Sequence, residues 1–363
     1  MEKVKVLVVD DSAFMRKLIT DFLSEASNIE VVGTARDGQD AIAKIKELKP
    51  HVVTLDIEMP VMNGLEALKR IMEEHPVPVV MLSSTTKEGA ENTVLAMQYG
   101  AIDFIAKPSG PISLDLHKIK DEIIAKVLLA SRANLRAFGK SEVKKINSSL
   151  FPKYSKIETK EFSANVRHGK KKIVCIGTST GGPRALQQVL TQLPETIHAP
   201  ILIVQHMPKG FTKSLAARLD SLCKIHVKEA EDGELLKNGT AYIAPGGFHL
   251  KVTKIKNEPA VQLDESPARN GHRPSVDVMF ESVSTLYDYE KIAVIMTGMG
   301  SDGTEGLKHL KQSGYVKAVA ESEETAVVFG MPKAAITANL IDDVVPLSKI
   351  AEMIMKYVNG QGV

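Results

Sequence analysis

VKVLVVDDS, residues 4–12, decides how the first third of this 363-residue chain is read. A short run rich in β-branched residues that stops at a pair of acids describes a buried strand with a polar end. The acids are Asp10 and Asp11. Working outward, similar runs recur at 30–35, 52–55, 77–82 and 101–105, and helical spacing such as Ala41, Ile42, Ile45 and Leu48 separates them. The alternation predicts a parallel sheet with helices on both faces. Ligands of such sheets bind beyond the carboxyl ends of the strands. Asp10, Asp56, Ser83 and Lys107 all fall at those ends.

Those four residue types suit one chemistry. Two adjacent carboxylates repel unless a cation joins them, and Mg²⁺ takes hard oxygen ligands while keeping several waters. Asp56 would supply a third oxygen beside Asp10 and Asp11, and a carboxylate can also attack phosphorus to form an acyl phosphate. Lys107 would neutralise phosphoryl oxygens, and Ser83 would donate a hydrogen bond to one. Acids that merely cap helices explain any one position, but not four on one rim. Pro108, following Lys107, permits a cis bond that would aim the lysine.

The whole chain sets limits. Its length favours two domains, and 44% hydrophobic with 25% charged residues is the composition of a soluble globular protein. No apolar run reaches the roughly 20 residues of a membrane span. The first residues run straight into acids, unlike a signal peptide, so a cytoplasmic location is expected and direct membrane insertion is not. Only Cys175 and Cys223 occur, which excludes a disulfide framework or a cysteine-rich metal site; Cys175 reads as strand packing. The net charge of +2 hides a segregation: residues 1–122 carry 14 Lys and Arg against 20 Asp and Glu, whereas residues 123–170 carry 11 against 3. That basic patch lacks an aromatic platform or a following helix-turn-helix, so it reads as a linker and no nucleic-acid partner is expected.

A helix is predicted over 114–137, with a polar, basic linker over 139–170. A second alternation begins at Lys171. Strands are predicted near 172–177, 200–204, 240–244, 291–296 and 316–320, and helices after Pro183, after Gly210, from Pro274 and from Thr304. The stretch 224–265 reads as β-rich but cannot be ordered from its pattern. The expected architecture is α/β in two domains, each a mainly parallel sheet covered on both faces. The first is flavodoxin-like, and the second is doubly wound with an irregular β-rich insertion. Domain bounds are placed at 1–125 and 171–363, joined by a helix extension and linker over 126–170.

The second domain opens with Gly177-Thr178-Ser179-Thr180-Gly181, a G-x-S-x-G pattern at a strand end. Glycines permit a sharp strand-to-helix turn that presents the serine hydroxyl, and a helix begun at Pro183 would aim its positive end near Ser179. The same pattern serves an ordinary tight turn, while its spacing does not match a dinucleotide loop. A serine hydrolase also needs a base and an orienting acid. His206 follows an apolar run and stands on the same rim; His249 is its rival, and His272 lies in a polar stretch. Asp302 follows another strand within a glycine-rich segment, with Asp277 as the competing acid.

Residues 1–125 resemble the receiver domains of two-component response regulators through VLVVDDSAFMR, LDIEMPVMNGLEAL, VVMLSS and GAIDFIAKP. Residues 171–350 resemble the catalytic domain of the chemotaxis protein-glutamate methylesterases through IGTSTGGP, VQHMP, APGGFHL, HRPSVDVMF and MTGMGSDG. The first resemblance implies that a histidine kinase phosphorylates Asp56, with Mg²⁺ on Asp10, Asp11 and Asp56. Ser83, Phe104 and Lys107 would then form the switch. The second implies a catalytic Ser179, His206 and Asp302, an oxyanion donor at the Met299 amide, and Thr180 beside the nucleophile. No cofactor is implied for the ester reaction. Together they imply a phosphorylation-activated hydrolase that removes methyl esters from chemoreceptor glutamates and deamidates receptor glutamines.

Overall fold

The computed structural model describes residues 2–107, 116–135 and 171–360. The linker expected over 139–170 and the bond to Pro108 lie outside the described residues.

The amino-terminal domain runs β1 (Val4–Val9), α1 (Ala13–Ser24), β2 (Ile29–Ala35), α2 (Gly38–Leu48), β3 (Val52–Asp56), α3 (Gly64–Glu74), β4 (Val79–Ser83), α4 (Lys87–Tyr99), β5 (Asp103–Ala106) and α5 (Leu116–Ala130). Its five strands pair in the order β2-β1-β3-β4-β5, all parallel. Val6–Val9 and Val79–Leu82 are buried on both faces, which is why these strands read as unbroken apolar runs. Four helices start on a side chain that follows a strand: Ser12, Asp37, Asn63 and Thr86 each accept a first-turn N–H. Each such cap is worth about 1 kcal/mol. β4 begins two residues later than its apolar run because Pro78 has no N–H to give to the ladder; its carbonyl instead accepts from Val53. α5 ends at Ala130, short of the expected 137, and the Asn134 N–H bonds to Val327 O of the second domain at 3.0 Å.

The carboxy-terminal domain runs β6 (Lys171–Thr178), α6 (Gly182–Leu190), β7 (Ile201–Gln205), α7 (Phe211–Asp220), β8 (His226–Glu229), β9 (Thr240–Ile243), β10 (His249–Ile255), β11 (Glu258–Asp264), α8 (Val276–Ser284), β12 (Tyr289–Ile295), α9 (Thr304–Lys311), β13 (Val316–Glu321), α10 (Met331–Thr337), β14 (Asp343–Val345) and α11 (Leu347–Val358). Seven strands form one parallel sheet in the order β14-β13-β12-β6-β7-β9-β8. The unordered stretch resolves into the edge strand β8, the expected strand β9 between β8 and β7, and the antiparallel hairpin β10–β11. α10, β14 and α11 are elements the sequence reading omitted. α11 nonetheless carries a legible stripe, with Leu347, Ile350, Ala351, Ile354 and Val358 buried.

The chain enters this sheet at the central β6, builds outward through β7, and returns to the other side of β6 with β12. Loops leaving β6 and β12 therefore diverge and open a cleft at the strand carboxyl ends. The first domain packs over that end. Phe104 of β5 meets Phe211 of α7 with ring centroids 4.6 Å apart, and Arg218 donates to the Gln98 side-chain oxygen through Nε and Nη2 at 3.2 and 3.0 Å. No helix among the described residues is long and apolar enough to cross a membrane.

Candidate active site

The acidic site of the first domain assembles as the strand ends predict. Asp10, Asp11 and Asp56 each offer an oxygen, all within 4.8 Å of one another. Lys107 Nζ stands 2.9 Å from Asp10 Oδ2 and 2.8 Å from Asp56 Oδ2. Burial raises the Asp56 pKa to about 6, with Lys107 opposing the rise and Asp10 adding to it. Three carboxylates held this close, two of them buried, make an all-oxygen donor set that fits a small divalent cation. Ser83 lies at the end of β4, where its hydroxyl donates to Gly89 O at 3.0 Å and accepts from Thr93 at 2.6 Å.

In the second domain the turn after β6 is built for close approach. Gly181 has φ 78°, a left-handed conformation that costs other residues strain, and α6 starts immediately after it with Pro183 in its first turn. Ser179 N–H donates to Thr297 O at 3.0 Å, joining the turn to the segment after β12. A side chain at Gly298 would meet Ser179 Cβ at 2.9 Å, so glycine is what lets the two segments touch. His206 follows β7 directly. Its Nε2 lies 2.7 Å from Asp302 Oδ2, leaving Nδ1 buried without a hydrogen bond. Ser179, Thr180, His206 and Met299 line one cavity of about 580 Å³. The Met299 N–H has no partner among the described residues.

Asp302 sits against the amino terminus of α8. Its Oδ1 accepts from the Ser275 hydroxyl at 2.8 Å and Asp277 N–H at 3.1 Å, and its Oδ2 accepts from Val276 N–H at 2.7 Å. Burial alone would raise its pKa, but His206 and these donors together hold it well below the usual carboxylate range. Asp277 returns the favour: its Oδ1 accepts Gly303 N–H at 2.9 Å and Gly306 N–H at 2.7 Å, at the start of α9. Two helix termini are thus each satisfied by an acid from the other segment.

A CheB methylesterase family model matches residues 174–354, and a response regulator receiver domain model matches residues 6–117. A protein from Geobacillus kaustophilus named protein-glutamate methylesterase/protein-glutamine glutaminase is 63% identical over 358 residues, covering 99% of each chain. The chain belongs to the CheB methylesterase family. A Bacillus subtilis relative of the same name is 51% identical over 360 residues, covering 99% of this chain and 100% of its own. The crystal structure of the Thermotoga maritima CheB methylesterase catalytic domain is similar at a TM-score of 0.51 and 49% identity, covering 52% of this chain and 100% of that one.

Of the rival residues in this CheB-family chain, His249 is fully buried at the start of β10, where Nε2 meets Pro267 O at 3.2 Å; it does not line the cavity. His272 does line it, with its ring stacked on His206. Several positioning groups escaped the sequence reading. Gln205, the last residue of β7, donates from Nε2 to Ser179 O at 3.0 Å and His206 O at 3.2 Å, tying the Ser179 turn to the His206 segment. A polar residue ending a buried strand beside a histidine was the available signal. Glu321, fully buried, accepts Thr297 N–H at 2.8 Å, and burial pushes its pKa up to about 7. Asp103 of the receiver accepts a short hydrogen bond from the Thr180 hydroxyl, next to Ser179. The receiver also lines this cavity with Phe104 and Lys126, so it stands over Ser179.

Proposed function

We propose that this chain hydrolyses glutamyl methyl esters of chemoreceptors, and the corresponding glutamine amides, through Ser179, His206 and Asp302, under the control of phosphorylation at Asp56. The observation that carries the reading is the engagement of His206: Nε2 is held by Asp302, so Nδ1 is the one nitrogen left to take a proton, and His206 and Ser179 line one cavity.

His206 Nδ1 accepts the hydroxyl proton as Ser179 Oγ attacks the ester carbonyl. Asp302 keeps the proton on Nε2 and balances the imidazolium. The free Met299 N–H donates to the oxyanion, a contribution of about 3 kcal/mol per donor in hydrolases. Methanol departs with the proton from His206, or ammonia where the substrate is glutamine, and water then cleaves the glutamyl-serine ester by the reverse use of the same base.

In the receiver, Asp10, Asp11 and Asp56 would hold Mg²⁺, which supplies positive charge to a phosphoryl group arriving from a histidine kinase. Lys107 neutralises phosphoryl oxygens, and Ser83 exchanges its Gly89 contact for one of them. Phe104 on the adjacent strand packs against Phe211, so a shift at Ser83 and β5 reaches the domain interface and favours release of the cleft. The reading places the enzyme in the cytoplasm, where receptor helices and kinase meet it.

Methanol release from methylated receptor membranes, with and without a small phosphodonor and Mg²⁺, tests both parts. Release should rise with the phosphodonor and vanish in Ser179→Ala. Normal release from Ser179→Ala would remove the nucleophile assignment, and a rate indifferent to phosphodonor would remove the switch.

A further inference from the structure

We infer that His272 is a positioning residue for the reaction, its ring lying flat on His206 and fixing the plane of the base. This rests on the reading of His206 as that base. The two imidazoles have centroids 3.9 Å apart and planes within 7° of parallel. A single hydrogen bond, Nε2 to Asp302, holds the His206 ring. One bond at one ring atom fixes a direction but leaves rotation about it free, and such rotation would carry Nδ1 away from Ser179. A flat neighbour at van der Waals distance removes that freedom.

His272 is itself rigidly mounted. Arg269 N–H donates to His272 O at 3.0 Å and His272 N–H to Arg269 O at 2.9 Å, closing a two-residue turn. Asn270 and Gly271 in that turn have φ 51° and 82°, the left-handed pair such a tight turn demands. Arg269 Nη1 reaches Glu281 of α8 at 2.6 Å. The helix whose amino terminus holds Asp302 therefore also anchors the turn that carries His272, so both groups touching the base share one rigid reference.

The ring nitrogens of His272 make no hydrogen bond among the described residues, so nothing places it in the proton path. Burial first, and the neighbouring His206 second, push its pKa down to about 4. It stays uncharged while His206 takes up its proton, and an imidazolium is not opposed by a like charge at stacking distance. The charged groups around the pair are Asp302, which holds the His206 ring, Arg269, which opens the turn and stands 4.0 Å from Asp277, and Arg273, which follows His272 and lines the cavity. Asp103, Glu122 and Lys126 face it across the cavity.

The test uses the full-length, phosphodonor-activated protein and methanol release, with kcat and KM separated and kcat/KM followed against pH. His272→Ala should lower kcat roughly 10- to 100-fold with KM nearly unchanged, and His272→Phe, which keeps a flat ring and cannot titrate, should recover to within about threefold of wild type. The acid limb of the His272→Phe profile should match that of the wild type. Equal losses in both variants, an unaffected kcat in His272→Ala, or loss of the acid limb in His272→Phe would each overturn the inference. His206→Gln separates the two levels. Turnover surviving in that variant defeats the base assignment itself, whereas a dead His206→Gln beside a fully active His272→Ala defeats the positioning role alone.

Discussion

Replacing Asp302 by Asn exchanges one oxygen for an amide nitrogen, and the surroundings make that exchange severe. All four neighbours of the carboxylate are placed as donors: Ser275 Oγ, Val276 N, Asp277 N and His206 Nε2. With its NH₂ towards Val276, the Asn amide sets N–H against N–H and forces Nε2 to accept, which moves the histidine proton to Nδ1 and blocks the base. Turned the other way, the amide opposes the Asp277 N–H. Both orientations also lose the charge that balances the imidazolium. A hydrogen bond to a charged group is worth about 1.5–3 kcal/mol, and an unmet buried donor costs about 1–3 kcal/mol. Taken together these predict a fall in kcat of about 10²- to 10⁴-fold at 1.36 kcal/mol per decade. Methanol release by the phosphodonor-activated protein measures it, with a circular dichroism melt to establish folding. A folded Asp302→Asn protein within tenfold of wild-type kcat would show that Asp302 does not orient the base.

Phe104→Ala should raise the activity of the unphosphorylated protein. The aromatic contact with Phe211 contributes about 1 kcal/mol beyond its buried area, so basal methanol release should increase about fivefold or more; an unchanged basal rate would mean that this interface does not restrain the cleft. Glu321→Gln tests the buried acid behind Thr297. The folded pKa of about 7 exceeds the ordinary value of 4.5, so the folded state keeps a proton that the unfolded chain releases. Stability is therefore highest below the unfolded value and declines as pH rises towards 7, by up to about 3 kcal/mol. Glutamine can give its oxygen to Thr297 N–H and its amide to the Thr325 hydroxyl, and should flatten that decline in melts taken at pH 5 and pH 8. Parallel decline in both proteins would place the proton elsewhere.

Most strands of both sheets, though not β8 or β14, were legible in the sequence, together with the rim where chemistry is expected. Those are local properties: a run of β-branched residues buried on both faces cannot be mistaken for an amphipathic helix, and the acid or serine that ends a strand is marked by the change in polarity there. Its motifs also marked Asp56 and Ser179 as candidates. What the pattern could not order was 224–265, because which partners β8 and β9 take, and that β10 and β11 pair apart in a sheet of their own, depends on register and not on composition. Residue patterns left the histidine open between His206 and His249 and the acid between Asp302 and Asp277; the family resemblance pointed to His206 and Asp302, and the fold brings those two into contact. His206 and Asp302 are 96 residues apart in sequence, and Thr180 and Asp103 are 77 apart on different domains. The crossover that returns the chain beside β6 brings the β12 segment to Ser179, and with it Thr297 and Glu321, whereas Gln205 arrives with the neighbouring β7. Nothing in the sequence around Thr297 and Glu321 marks them, because each acts on a backbone atom that only folding puts within reach.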